Sequence, residues 1–266
     1  MTNEEEARTD MPAPASQVLH GAWDIYSRGD ETSPELIAFD FDAAQRDLSD
    51  ELPHCALIRI QTKNPTPRGE PVGPEVETLY DMQDALVNSL QQQAITCRLV
   101  ARVTYGGTRE LLFGLSDWDQ FRPPVGRWMS EHADYEMDVD EYPDWDFYDH
   151  HVRPTAEVLE YVEDRRTIDH IVNSGVNPSE QRVIDFFFHG APTDVTAAAQ
   201  ALHRRGYTTN EINTDDAEPN TINLEAHKHM TLDELYDETR QHRTLAEQQR
   251  ITYDGWGTSL AQPTST

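Results

Sequence analysis

Apolar and polar residues alternate through two stretches near the start of the chain, AWDIYSR (22–28) and LIAFDFD (36–42), with the turn-rich GDETSP between them. That period predicts two strands meeting as a hairpin. HCALIRIQT (54–62) reads as a third strand and NPTPRGEPVGP after it as a loop. From Glu75 to Gln93 the step changes: Val76, Leu79, Tyr80, Leu86, Val87 and Leu90 recur every three or four residues, the spacing of one helix face. CRLVARVTY and TRELLFGL then flank Gly106 and Gly107, and a glycine pair supplies the positive φ that suits a tight hairpin. Ser116 or Asp117 can cap the next helix, whose apolar face is Trp118, Phe121, Val125 and Trp128, and Pro123 and Pro124 should shorten or kink it. DYEMDVDE (134–141) closes the half as a strand.

From residue 54 the order is therefore strand, helix, strand, strand, helix, strand, the split βαβ plan, preceded by an extra hairpin. The same order returns after the Arg153–Pro154 junction. PTAEVLEYVEDRRTIDHIVNSG is a leading helix ended by Gly175, and QRVIDFFFHG is a strand. TDVTAAAQALHRRG is a Thr- or Asp-capped helix closed by Gly206, and YTTNEINT and NTINLEAHKHM are strands. A Thr231-capped helix and the strand ITYDGWGTSL complete the set. The expected fold class is α+β, two tandem ferredoxin-like βαββαβ domains. The expected divisions are an acidic disordered tail over 1–20, an N-terminal domain over 21–153, a second domain over 154–260 and a tail over 261–266.

Charge narrows the range of partners. Forty-nine acids against 21 bases give a net charge of −28. Such a surface repels the phosphates of free nucleic acid and attracts a basic protein segment. Only Lys63 and Lys228 are lysines, and an Asp-rich, Lys-poor chain suits a salt-rich, halophilic cytoplasm, where carboxylates keep a surface hydrated. Cys55 and Cys97 stand far apart without a CxxC pair and read as buried free thiols of a reducing compartment. No apolar run reaches the length of a membrane span, and the acidic start is unlike a secretory signal, so a cytoplasmic location is expected.

Candidate chemistry concentrates in DYEMDVDEYPDWDFYDHH (134–151), with eight carboxylates and the His150–His151 pair. Read by period, Tyr135, Met137 and Val139 face one side of a strand and Asp134, Glu136, Asp138 and Asp140 the other. Asp144 can then cap a short helix carrying the stripe Trp145, Tyr148 and Val152. A metal or acid–base site in this N-terminal domain is the alternative reading. His227 and His229 share a face of one strand, without an identifiable third metal ligand. No nucleophile elbow, zincin, Walker or dinucleotide fingerprint occurs, so no catalytic residue, metal or cofactor is assigned and the chain is expected not to be an enzyme.

The C-terminal half resembles the family of regulator of ribonuclease E activity B, RraB. QRVIDFFF, with Arg182, Val183, Asp185, Phe186 and Phe188, is similar to the family's arginine-valine-acid-aromatic strand, and AAAQALHRRGY to its helix ending in a glycine and an aromatic. YDGWGTSL, with Tyr253, Asp254, Gly255, Trp256 and Gly257, is similar to its closing strand. The preceding half is similar to domain of unknown function 695 through WDIYSR, AFDFD, ALIRI, TRELLF and YPDWDFYDHHVRPT. The resemblance implies a non-catalytic ferredoxin-like domain that binds ribonuclease E, or another RNA-processing protein, outside its catalytic centre and lowers RNA cleavage. Asp185, Asp254 and Trp256 are the candidate partner-binding residues. For Trp256 there is also a structural reading, in which two flanking glycines permit a bulge and the indole packs on a helix.

Overall fold

The computed structural model describes residues 22–30, 32–210 and 220–259. The expected tails over 1–20 and 261–266, and the end of the strand expected over YTTNEINT, lie outside the described residues. The chain divides into two compact units, Met1–Thr155 and Ala156–Thr266. Both are mixed α+β with antiparallel sheets, and no helix among the described residues is long and apolar enough to cross a membrane.

Unit 1 runs β1 (Trp23–Asp30), β2 (Ser33–Asp40), α1 (Phe41–Ala44), β3 (His54–Gln61), α2 (Pro74–Gln92), β4 (Cys97–Tyr105), β5 (Thr108–Leu115), α3 (Trp118–Glu131), β6 (Met137–Tyr142) and α4 (Asp146–His151). Its strands lie in the order β1-β2-β4-β5-β3-β6, each pair antiparallel. The β4–β5 hairpin turns on Gly106 and Gly107 with φ of 55° and 84°, as the glycine pair predicts. The strand expected to reach residue 42 stops at Asp40, because the Asp40 carboxylate accepts from the backbone N–H of Asp42 and Ala43 and starts α1. Asp117 caps α3 in the same way. α3 then runs from Trp118 to Glu131 through Pro123 and Pro124, so of the two expected effects, shortening does not occur. The carbonyls that lose their donors belong to Asp119 and Gln120, both exposed to water, while buried Phe121, Val125 and Trp128 hold the helix on the sheet.

One face of this sheet, with Ala56, Ile58, Ile60, Leu111 and Phe113, packs against Leu79, Met82, Leu86, Leu90 and the α3 stripe. The opposite face is closed at one end by Trp145, Tyr148 and Val152, all buried. The Trp145 indole lies on Gly114 and donates to the Leu52 carbonyl at 2.7 Å.

Unit 2 runs α5 (Ala156–Asn173), β7 (Arg182–Gly190), α6 (Pro192–Arg204), β8 (Thr208–Thr209), β9 (Ile222–Met230), α7 (Leu232–Gln249) and β10 (Thr252–Gly257), with sheet order β10-β7-β9-β8. Thr231 and Glu234 form a reciprocal capping box at α7. α6 departs from expectation: it begins at Pro192 with Ala191 as its cap residue and no side-chain cap, proline's fixed φ doing the work. A single core joins the inner residues of β7 and β9 (Ile184, Phe186, Phe188, Leu224, Ala226) to α5, α6 and α7, so all three helices cover one face of the sheet.

That core encloses His242, fully buried among the rings of Phe186, Phe188, Tyr207 and Tyr253. The Tyr207 hydroxyl donates to Glu238 at 2.5 Å, which leaves its oxygen to accept from the imidazole Nε2–H at 2.9 Å. Burial, helped by Arg205, Lys228 and Arg243, holds His242 down at about 3 from 6.5.

Two outcomes follow from these packings. A Cβ at Gly114 would stand 2.7 Å from the Trp145 ring, so Gly114→Ala should cost about 1–3 kcal/mol in denaturant unfolding. Below pH 6.5 the unfolded chain takes up a proton that folded His242 refuses down to about 3. Stability is therefore complete above that range and falls with pH by up to ~1.4 kcal/mol per unit. His242→Gln should flatten this slope in unfolding measured from pH 6.5 to 4, and slopes unchanged from wild type would contradict the assignment.

Candidate functional site: the open sheet face of unit 2

With the helices on one side, strand alternation turns the remaining residues outward: Val183, Asp185, Phe187 and His189 on β7, and Asn223, Glu225, His227 and His229 on β9. Register pairs Asp185 with His227, Phe187 with Glu225 and Val183 with His229. Phe187 and Val183 are 40% and 39% exposed, large apolar side chains held out to solvent on a central strand. Gly255 pairs with Phe187 on the β10 side, and a Cβ added at the next glycine, Gly257, would stand 3.6 Å from its ring, so these two positions carry no side chain to cover it.

The three sequence candidates part company here. Asp185 sits in the middle of the open face, where burial first and Glu225 second raise its pKa while His227 opposes the rise. Asp254 joins it through a β-bulge between Tyr253 and Gly255, where Gly255 takes φ of 101°. The bulge turns Asp254 outward to meet His189 Nδ1 at 2.5 Å, both half-exposed. Trp256 turns the other way. It packs on the helix-side core, and its indole donates to Asp164 of α5 at 2.8 Å. Asp164 also accepts from Arg243 of α7 at 2.7 Å, and Arg243 meets Glu160 as well. The open face thus gathers an apolar pair, three carboxylates (Asp185, Glu225, Asp254) and histidines 189, 227 and 229, with no lysine or arginine among its described β7, β9 and β10 residues. Sequence reasoning passed over Phe187, Val183 and Glu225. Strict alternation from Ile184, Phe186 and Phe188 was the signal that could have found them.

The acidic stretch over 134–151 is a structural element. Asp138 and Asp140 face out from β6 and both accept from Arg59, at 3.0 and 2.5 Å, while Asp134 meets Lys63. Within α4, exposed His150 contacts the Asp146 carbonyl through Nδ1, and exposed His151 lies against the Phe147 ring. No group of three or more His, Cys, Asp or Glu residues able to hold a metal occurs among the described residues. Both cysteines are free. Cys55 is buried and its thiol is pushed up to about 12, but Cys97, expected to be buried too, is only partly so because it begins its strand at the sheet end.

Fold and face together define a two-unit α+β protein whose second unit offers one uncovered, acidic sheet face. Residues 162–258 match the family described as regulator of ribonuclease activity B, RraB, and residues 21–151 match DUF695, a family of unknown function. The chain thus carries a DUF695 region followed by an RraB region. No curated protein matches it. Among solved structures, a protein of unknown function from Galdieria sulphuraria is 10% identical and covers 77% of this chain and 98% of its own, at a TM-score of 0.23. A putative glycine cleavage system transcriptional repressor is 8% identical over the same shares, with a TM-score of 0.25. Likenesses this distant carry no argument.

Opposite roles for the two closing-strand residues predict opposite outcomes. Trp256→Phe leaves buried Asp164 short of one donor and should cost about 1–3 kcal/mol. Asp254→Asn, altering a half-exposed surface pair, should cost less than ~1 kcal/mol in the same unfolding measurement.

Proposed function

We propose that the chain is a non-catalytic, protein-binding regulator whose RraB region restrains a ribonuclease, ribonuclease E or another RNA-processing enzyme, through the open face of the unit 2 sheet. The observation that carries this reading is the coincidence of the RraB match with a sheet whose uncovered face presents Phe187 and Val183 among Asp185, Glu225 and Asp254. A surface of this kind suits a basic segment bearing an apolar anchor: the carboxylates steer and pair the cations, and the exposed ring supplies the desolvated centre. The net charge of −28 supports the same partner chemistry and disfavours direct contact with nucleic acid. Trp256 belongs to the reading as the residue that holds the closing strand beside the face.

The finer architecture is part of the proposal. Each unit contains a βαββαβ run in which the first strand lies between the fourth and the third and the second lies beyond the third, at the sheet edge in unit 2 and against β2 of the hairpin in unit 1. This order supports two ferredoxin-like domains, over 21–153 and 154–260, the first extended by the β1–β2 hairpin; the acidic, cysteine-poor composition is what supports a cytoplasmic location.

Capture from native lysate at the salt of the source cytoplasm tests the function. Wild-type protein should recover a ribonuclease and slow its cleavage of RNA, and Phe187→Ser should weaken capture at least tenfold while leaving the unfolding midpoint nearly unchanged. Recovery of no RNA-processing protein, or equal capture by Phe187→Ser, would overturn the reading.

A further inference from the structure

Unit 1 treats its arginines in two ways. The half-buried ones each meet a carboxylate: Arg59 meets Glu110, Asp138 and Asp140, Arg98 meets Asp40, and Arg153 meets Asp149. The two fully buried ones, Arg102 and Arg109, at 6% and 5% exposure, have no carboxylate within salt-bridge distance among the described residues. In a chain with so large an excess of acid, this is the reverse of what charge burial ordinarily requires.

Arg102 of β4 and Arg109 of β5 lie diagonally across the hairpin on the face that α2 covers. Both guanidinium groups lie over one ring, that of Tyr80 on α2, at 4.5 and 5.0 Å from its centroid. Arg102 donates to the Gln83 side-chain oxygen and to the Tyr80 hydroxyl, each at 3.1 Å. Arg109 Nε and Nη1 are buried with no hydrogen-bond partner. Glu75 and Asp84 attract the pair only at longer range, and the Glu75 oxygens accept from the backbone N–H of Lys63 and Asn64. Burial and the neighbouring Arg102 charge lower Arg109 to about 10, the cost of two desolvated cations side by side. Tyr80 itself is half-buried, so the ring that both guanidinium groups lie against is partly open to solvent.

We propose that Arg109 and Arg102, framed by Tyr80 and Gln83, bind a small doubly charged oxyanion, a phosphate or phosphomonoester, in unit 1. The guanidinium fork matches such an anion in shape, and two adjacent forks match its charge. The anion would satisfy the unpartnered donors of Arg109 and remove the repulsion between the cations, giving the DUF695 region a ligand unconnected with the face of unit 2.

Thermal unfolding of the full chain, at ionic strength held constant with potassium chloride, tests this with inorganic phosphate and glycerol phosphate as probes. One or both probes should raise the unfolding midpoint progressively with concentration, and the stronger of the two identifies the free anion or the ester. Arg109→Gln should abolish the rise, Arg102→Lys should weaken the apparent affinity at least tenfold, and Arg122→Gln, on an exposed arginine, should leave it intact. No rise with either probe, or an equal rise in Arg109→Gln, would overturn the site. Should neither the Arg109 nor the Arg102 variant fold, the wild-type Arg109 Nε–H resonance must move on phosphate titration, and a fixed resonance would overturn it equally.

Discussion

A carboxylate in α5 decides what the closing strand of unit 2 presents. Asp164, almost fully buried, accepts the Trp256 indole N–H from β10 and a guanidinium N–H from Arg243 of α7. α5 is thereby tied to the two consecutive elements α7 and β10 at one charge, and its hydrogen bonds offset its desolvation. With Trp256 pinned on the helix side, the bulge before it turns Asp254 to the other side, and Gly255 and Gly257 leave Phe187 uncovered. The open face follows from that anchoring.

Asymmetry is the common theme of the two units. Unit 2 stacks three helices on one side of a four-stranded sheet and leaves the other side to solvent. Unit 1 adds the β1–β2 hairpin, and Trp145, Tyr148 and Val152 close part of its second face. What remains exposed there is polar, a run in which Arg59 serves Glu110, Asp138 and Asp140 and Tyr105 donates to Glu110. There a fixed cation stands among the carboxylates. The carboxylates of the unit 2 face meet no lysine or arginine among the described residues: Asp254 meets His189 and Glu225 accepts from the Asn210 side chain, so the face presents acid without a fixed cation beside it.

Locally encoded features were legible in the sequence. The Gly106–Gly107 hairpin, the Thr231 cap of α7 and the alternation over Met137–Tyr142 each depend on residues within a turn or two of one another. Features set by packing were not. The double proline of α3 survives because the lost hydrogen bonds fall on its exposed side, and LIAFDFD stops early because Asp40 caps α1. Asp254 and Trp256 are two residues apart, a spacing that reads as one strand face, and only pairing with β7 reveals the bulge that separates them. The Arg102–Arg109 pair could not be read at all, since two arginines in a hairpin are ordinarily solvated and only α2, lying over them, takes the water away.

The central claim is that the unit 2 sheet binds its partner through the uncovered face, and hydrogen exchange on the full chain with and without the captured partner tests it most directly. Protection is predicted in residues 183–189, 223–229 and 252–257, with the helices α5, α6 and α7 unchanged. Protection confined to those helices, or to unit 1, would contradict it.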